Sequence, residues 1–492
     1  MSCEHEFSLE DKQQAKREGL TEQDLHNQLH ILRKGVSPAC AARACVLGDG
    51  ILSIEPKESE ELLRLFNDAQ SKGRFSKMVP ASGAATRMFK FVFNAAKGES
   101  EDSADFKQLR KGLKLFPFYK DLAAKCPNGK PEELPSSELA KMILEGLNFQ
   151  SLPKAFIPFH AYSDHVSTAL DEHFKDSILY LKDENNCVRL HFTIDPQFVE
   201  LLEEKVKAHT EQDHVNYQIT HSIQKPSTQT IAMTDKQTAA RTSSGELFFR
   251  PGGHGSLLVN IQDLDGDIVF LQNIDNVGRE EMHPKRVHYK KLLGGLLLKI
   301  ESQIAIYSAD LKSGNYNLKE IWDFAKTYCG TCPTDQILAR SEEEQVRLLL
   351  DLFKRPIRVC GMVKNEGEPG GGPFWTEGEL QSCQILEKDQ LDLENPTQAS
   401  ILEQATHFNP VDLVIGLKDA NGKPHDLMQF RDPETCFISQ KSIQGKTIYA
   451  LEHPGLWNGS MANWNTTFVE VPLYTFSPVK TVNDLIRAAH QP

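Results

Sequence analysis

From Cys187 onward the chain alternates strand-like and helix-like periods, and this alternation restricts its architecture more than any other feature. "CVRLHFTI" reads as a strand and "DPQFVELLEEKVKAH" as a helix. "NYQITHSIQ" is again a strand, "HGSLLVNIQDL" a helix, and "DIVFLQNID" a buried strand with a polar tip. Such alternation predicts an open α/β sheet with helices on its faces. Ligands of such sheets sit beyond the carboxyl ends of the strands. Polar residues just past a strand are therefore the first candidates for function.

Residues 1 to about 72 read as helical. "LTEQDLHNQLHILRKG" has a Thr start, an acidic first turn, helical apolar spacing and a Lys-Gly finish, and "SEELLRLFNDAQSKG" repeats that logic. "RFSKMVP" is a short strand. Residues 91 to about 150 are charged and helix-rich, with breaks at "CPNGKPEELP", and "STALDEHFKDSILYLKD" is an amphipathic helix. Residues 282–352 are mostly helical. Strand-like runs return in "IRVCGMV", "VDLVIGL", "KTIYALE" and "TFVEVPLYTF", interrupted by the glycine-rich "KNEGEPGGGPF".

The net charge of −13 over 492 residues argues against a general nucleic-acid binder. No uninterrupted apolar run is long enough to span a bilayer, and "MSCEHEFSLEDKQQAKREGL" has no apolar core of a secretory signal. Ten scattered cysteines fit a reducing, cytoplasmic setting. Cys329 and Cys332 have CxxC spacing, but a zinc site normally needs a second pair. Asn458 and Asn465 match glycosylation sequons, which carry little meaning without a secretory signal.

The chemistry starts at "MVPASGAATRMFK", where an apolar strand runs into Ala81, Ser82, Gly83, Ala84 and Ala85, then Thr86 and Arg87. Small residues allow close backbone approach to an anion, and arginine adds a permanent charge. The stretch is neither a P-loop nor a Rossmann G-x-G-x-x-G. On residues alone, two readings stand: a phosphate-cradling loop, or a small-residue turn packed against a helix.

This stretch resembles the opening signature of the sugar-nucleotide pyrophosphorylases, roughly L-A-x-G-x-G-T-R-M, with Ala85 where that family has its second glycine. An alanine is tolerated there only at negative φ. The resemblance continues in "LPKAFIPFHAY", where Lys154 matches the family lysine and residues 91–150 become an insertion. It extends to Gln224 as a base-reading amide, to the turn of Gly252, Gly253, His254 and Gly255, and to "DIVFLQNIDNV", where Asp275 stands for the metal carboxylate beside Asn276. In "FSPVK", Lys480 matches a lysine near phosphate. Glu377, in a weaker match, would face the sugar, although a simple hairpin explains its surroundings better. The chain is closer still to a bacterial family called domain of unknown function 4301, with "PASGAATRMF", "GLWNGSMANWNT" and "FSPVKTVNDL" in common.

The resemblance implies an α/β, GT-A-like (Rossmann-like) nucleotidyltransferase fold, with a mixed, mostly parallel central sheet and added helical segments. It divides the chain into a helical segment (1–72), a nucleotide-binding core (73–281) with its insertion, a second helical segment (282–352) and a mixed C-terminal part (353–492) completing the substrate side. The implied reaction joins a nucleoside triphosphate, UTP by resemblance, to a sugar 1-phosphate with Mg²⁺. Arg87, Lys154 and Lys480 would be catalytic. Ala81–Thr86, Gln224 and the 252–254 turn would hold the nucleotide, Asp275 the metal, and Glu377 and Asn276 the sugar. Two alternatives are a nucleotide-sensing protein without turnover and a glycosyltransferase, for which "DLDGD" is the nearest acidic cluster. The sequence leaves the oligomeric state open.

Overall fold

The computed structural model describes residues 6–99, 103–368, 370–408, 411–443 and 446–492. Residues 1–5 of the expected N-terminal segment, 100–102 of the expected insertion, and Pro369 of the glycine-rich loop lie outside the described residues.

Nine strands form the main sheet: β1 (Val46–Leu47), β2 (Gly50–Leu52), β3 (Phe75–Pro80), β4 (Cys187–Thr193), β5 (Asn216–Ser222), β6 (Ile268–Leu271), β7 (Ile357–Met362), β8 (Asp412–Gly416) and β9 (Asn465–Glu470). Their spatial order is β1-β2-β9-β7-β8-β6-β3-β4-β5. Only the two pairings that flank β8 are antiparallel. The sheet is therefore mixed and mostly parallel, as the resemblance implies, with the α/β alternation read from the sequence. The run β5-β4-β3-β6 has the 3-2-1-4 order of a doubly wound sheet, whose switch point lies between β3 and β6. Because β8 is reversed between two antiparallel neighbours, β7, β9 and β2 run in the same direction as β3 to β6. Their carboxyl ends share one edge.

The helical reading of residues 1–72 fails between Ala41 and Leu52. Ala41–Ala44 pairs with Gly372–Thr376 in a second sheet, and β1 and β2 extend the main one. Gly48 and Gly50 adopt φ of +85° and +94°, a left-handed backbone that breaks any helix through this segment. The reading also missed Thr230–Thr234, which pairs with Lys446–Glu452 in a small antiparallel sheet. The helix Glu22–Lys34 covers that sheet with Leu25, Leu29 and Leu32 against Ile231, Met233 and Leu451.

Four helices matter for the site: α1 (Pro56–Ser71), α2 (Ala169–Leu181), α3 (Leu257–Gln262) and α4 (His283–Ser313). The long α4 crosses α1 at the Gly294-Gly295 pair. A Cβ on Gly295 would lie 2.1 Å from the Leu62 carbonyl oxygen, so only glycine permits this approach.

Lys77 in the middle of β3 is fully buried. Its ammonium donates to Asp176 on α2 at 2.7 Å and to the Ser177 hydroxyl at 3.2 Å. Lys290 on α4 meets the other Asp176 oxygen at 3.3 Å and Asp412, the first residue of β8, at 3.4 Å. It also donates to the Gln272 side chain at 2.5 Å. The Tyr180 ring lies 5.7 Å from one ammonium and 5.0 Å from the other. Two cations and two carboxylates thus balance inside the core. Burial alone would raise the Asp176 pKa, but Lys77 and Lys290 hold it far below the usual carboxylate range. Burial pulls Lys77 down to about 8 against the opposing pull of Asp176.

Removing one member strands a buried charge, which costs about 3–5 kcal/mol. Asp176→Asn is therefore expected to lower unfolding free energy by that order, measured by denaturant titration against wild type. An unchanged midpoint would mean that the cross contributes nothing.

Candidate functional site

The loop after β3 is built from the residues that attracted attention in the sequence. Ala81 N–H donates to the Thr193 carbonyl at the end of β4 at 2.8 Å, which fixes the exit of the strand. Ser82, Gly83 and Ala84 are exposed, and their backbone N–H groups have no hydrogen-bond partner among the described residues. A Cβ on Gly83 would meet nothing within 4 Å, so neither packing nor a positive φ accounts for the glycine. Ala85 turns inward, 2% exposed, and joins the main core without a positive φ. The condition for an alanine there is met. Thr86 and Arg87 face solvent, and the Arg87 guanidinium has no polar partner among the described residues.

The chain leaves this loop at Arg87, passes through the short helices of residues 90–150, and returns to it. Lys154 N–H donates to the Gly83 carbonyl at 3.1 Å, and Ala84 bridges Pro153. The Lys154 ammonium then reaches Asp275, just past the end of β6, at 3.0 Å, and the Val479 carbonyl at 2.9 Å. Lys480 arrives from the far end of the chain and meets the same Asp275 oxygen, Oδ2, at 3.1 Å; its distance to Oδ1 is 3.5 Å. Lys154, Asp275 and Lys480, widely separated in sequence, form one cluster at the switch-point edge. Burial raises the Asp275 pKa, but the two ammonium groups overcome this and hold it below its ordinary value, so the carboxylate is ionised. Oδ2 takes both lysines, and Lys480 also reaches Oδ1.

Asn276 has a different task from contacting sugar. It is 2% exposed, and its amide donates to the Val411 and Thr475 carbonyls. Its side-chain oxygen accepts from Ser477 N–H at 2.8 Å and from Arg286 at 3.1 Å. Arg286, buried on α4, also donates to the Tyr474 carbonyl and the Ser477 hydroxyl. Val479 N–H closes the knot on the Asp275 carbonyl at 3.1 Å. Asn276 and Arg286 thereby hold the segment that carries Lys480. Neither this knot nor the lysine cross beneath it is visible as a spacing pattern.

Gln224 lies half-buried just past the carboxyl end of β5, on the same edge, with no side-chain hydrogen bond to another described residue. Asn260 of α3 pins that strand end through Ser222 and Ile223. The resemblance has the 252–254 turn hold the nucleotide, but the space at Gly252 and Gly255 is closed. A Cβ on Gly252 would meet the Thr228 carbonyl at 2.4 Å, and one on Gly255 the Pro454 carbonyl at 2.0 Å. The protein's own chain fills that space. His254 accepts from Leu456 N–H and lies against Trp457. Glu377 is exposed in the hairpin turn between Gly372–Thr376 and Leu380–Leu386, in a different sheet, and lines a separate cavity of about 890 Å³. "DLDGD" precedes β6, and its Asp267 pairs with Arg74 at the opposite, amino edge of the sheet. The sequon asparagines Asn458 and Asn465 are buried and donate to backbone carbonyls.

Behind the cluster, the C-terminal segment docks on the returning chain. Val482 N–H donates to the Met88 carbonyl, and Asn483 to the Asp105 carbonyl. His490 is bonded at 2.8 Å to His160, which itself meets buried Glu172 at 2.8 Å; His283 and Tyr162 reach the same carboxylate. Burial, then His160 and Arg286, depress the His490 pKa to about 3. Burial opposes, but His160 and His283 more than offset it, and Glu172 is lowered to about 2.

A depressed imidazole contributes stability above its unfolded pKa, near 6.5, and loses it as pH falls toward 3. Stability of the wild type is thus expected to decline with acid across that window, and more shallowly in His490→Gln. Thermal unfolding scans between pH 7 and 4 measure this, and parallel slopes would count against the docked neutral imidazole.

A family model described as "Domain of unknown function (DUF4301)" matches residues 8–491. No curated protein matches the sequence. Among solved structures, the chain is similar to a point variant of UDP-glucose pyrophosphorylase from Leishmania major in complex with UDP-glucose. Identity is 12% over 99% of this chain and 79% of that one, with a TM-score of 0.48. It is similar to UDP-N-acetylglucosamine pyrophosphorylase from Trypanosoma brucei in complex with an inhibitor, at 11% identity over 94% and 74% of the two chains and a TM-score of 0.46. UDP-glucose phosphorylase from Trypanosoma brucei matches at 12% identity over 98% and 80%, also with a TM-score of 0.46.

Proposed function

This chain belongs to the DUF4301 family, and from its own site we infer a GT-A-like nucleotidyltransferase that joins a nucleoside triphosphate to a sugar 1-phosphate. The observation that carries this reading is the convergence of Lys154 and Lys480 on Asp275, with Lys154 hydrogen-bonded through its backbone to the exposed 81–87 loop. Unpaired N–H groups, an open Gly83 and an unpartnered Arg87 suit a polyphosphate.

An oxygen of the sugar 1-phosphate attacks the α-phosphorus, and the bond to the pyrophosphate leaving group breaks. No protein nucleophile is required; positioning and charge neutralisation supply the rate. The loop and Arg87 hold the triphosphate. Lys154 and Lys480 turn from Asp275 toward the phosphate oxygens and offset the charge that builds there. Gln224 offers both an amide donor and an acceptor to a base edge, which suits uracil. With the lysines turned away, the Asp275 carboxylate would hold Mg²⁺ carried in with the triphosphate, where the ion would neutralise phosphate charge. The substrate assignment to UTP, the Mg²⁺ and a cytoplasmic setting belong to this reading. So does the division into 1–72, 73–281, 282–352 and 353–492.

Two features favour the alternative without turnover, Ala85 and the long helical insertion; the Ala85 methyl is accommodated in the core. The glycosyltransferase reading loses its acidic cluster to the amino edge.

Purified protein incubated with Mg-UTP and a panel of sugar 1-phosphates is expected to release pyrophosphate. Lys480→Ala and Arg87→Ala are each expected to lower kcat about 100-fold, as losses of preorganised charge groups do. UTP binding without pyrophosphate release across the panel would favour sensing; full activity in Arg87→Ala would remove the loop from the mechanism.

A further inference from the structure

We propose that a cleft at the amino edge of the main sheet binds a small organic anion, with one carboxylate or phosphate group on a hydrocarbon body. The starts of β3, β6 and β7 meet the end of β8 at this edge: Ile268 stands opposite both Phe75 and Gly416, and Ile357 also stands opposite Gly416. Helix α4 forms one wall of the cleft and the turn after β8 another. Its volume is about 600 Å³, within the range of small-molecule sites.

Two cations that line the cleft are unspent. Arg355 precedes β7, where its N–H donates to the Leu352 carbonyl at 3.1 Å and its carbonyl accepts from the Asn465 amide at 3.4 Å. Its half-buried guanidinium has no hydrogen bond or ion pair among the described residues. Burial lowers the Arg355 pKa, against a smaller opposing pull from Cys329 and Asp351. Asp351 itself pairs with Lys354 at 2.8 Å. Lys418 is set by the hairpin that bridges it to Pro424. Its side chain is likewise half-buried, and its ammonium has no partner among the described residues. A cation that loses water without gaining a counter-charge is costly. Both groups face an open cleft rather than a sealed core, so an incoming anion can reach them.

The acids of the cleft are already committed. Arg74 takes Asp267 at 2.5 Å and Glu301 at 3.2 Å. Burial raises the Glu301 pKa in spite of Arg74. Asp419 accepts from the N–H groups of Asn421 and Lys423 at 2.8 and 3.0 Å, which closes its own turn. The unpaired charge that remains is positive, and the planar fork of arginine matches a carboxylate or a phosphate. Leu298 and Ile304 of α4, with Phe353 and Ile357, add an apolar wall. A hydrated inorganic ion gains nothing from that wall, whereas a hydrocarbon body does. The cleft lies across the sheet from Lys154, Asp275 and Lys480, and its occupancy is independent of the nucleotidyl-transfer reading.

Titration calorimetry of the full chain with phenylacetate, phenyl phosphate and inorganic phosphate tests the cleft. At least one of the two organic anions is expected to bind wild type more tightly than inorganic phosphate does. Arg355→Met and Lys418→Ala are each expected to weaken that binding at least 10-fold. Lys480→Ala, at the opposite edge, is expected to leave it unchanged. Without ligand, Arg355→Met is expected to unfold at or above the wild-type midpoint, because it replaces an unpaired cation with an apolar side chain. A lower midpoint would mean that the fold already uses the guanidinium, and would overturn the assignment. Lys418→Ala only shortens a side chain in a turn, so its folding is expected to survive, as checked by thermal unfolding. Preference for phenyl phosphate or for phenylacetate identifies the head group, and either supports the cleft. The proposal fails if wild type binds neither organic anion, if both variants bind as wild type does, if inorganic phosphate binds as tightly, or if Lys480→Ala abolishes binding.

Discussion

The lysine cross inside the sheet is the constraint on which the rest depends. Lys77 of β3, Asp176 of α2, Lys290 of α4 and Asp412 of β8 come from four separate elements and neutralise one another in a space closed to water. None of these charges tolerates the loss of its partners, so the four elements are held in mutual register. Gln272 extends the cross by taking the Lys290 ammonium on one side and donating to the Asn276 carbonyl on the other. The edge where Asp275 sits is thus continuous with the most highly determined part of the core.

The candidate site inherits its order from that anchor. Asn276 and Arg286 tie a C-terminal loop to the end of β6, and the tie delivers Lys480 to Asp275. From the other side, the return of the chain at Pro153 delivers Lys154. A buried carboxylate that meets two ammonium groups is an electrostatic hold on both cations. Its surroundings are rigid and its cations are partly exposed. On the nucleotidyl-transfer reading, that combination would keep a phosphate-binding surface preorganised without leaving a bare positive patch on an otherwise acidic protein.

Much of this was legible from local patterns. The β4–β5–β6 alternation and the helices Glu22–Lys34 and Pro56–Ser71 follow from apolar period, caps and glycine stops, which act within a few residues. The three short strands between Ala41 and Leu52 were not legible, because two of them are defined by partners hundreds of residues away and the third, Val46–Leu47, pairs only with one of those two. Asn276 was a sugar contact only by resemblance, as the residue beside Asp275. The fold instead spends its amide on the backbone of the C-terminal loop. Gly252 and Gly255 looked like bare surface for a base, but the 453–454 backbone occupies that space. Lys77 gave no signal at all, since a lysine in a short strand ordinarily points to water.

By itself the sequence determined the open α/β class, the loop after β3 and the identity of the residues at strand ends, because these depend on local backbone preference and on alternation of apolar residues. Tertiary structure alone decided which of those residues meet. Lys154, Asp275 and Lys480 share one site only because parallel strands bring their carboxyl ends to a common edge, and because a buried arginine and asparagine fold the end of the chain back onto it. Chain separation carries no information about such meetings; the packing of the sheet and its charged core supplies it.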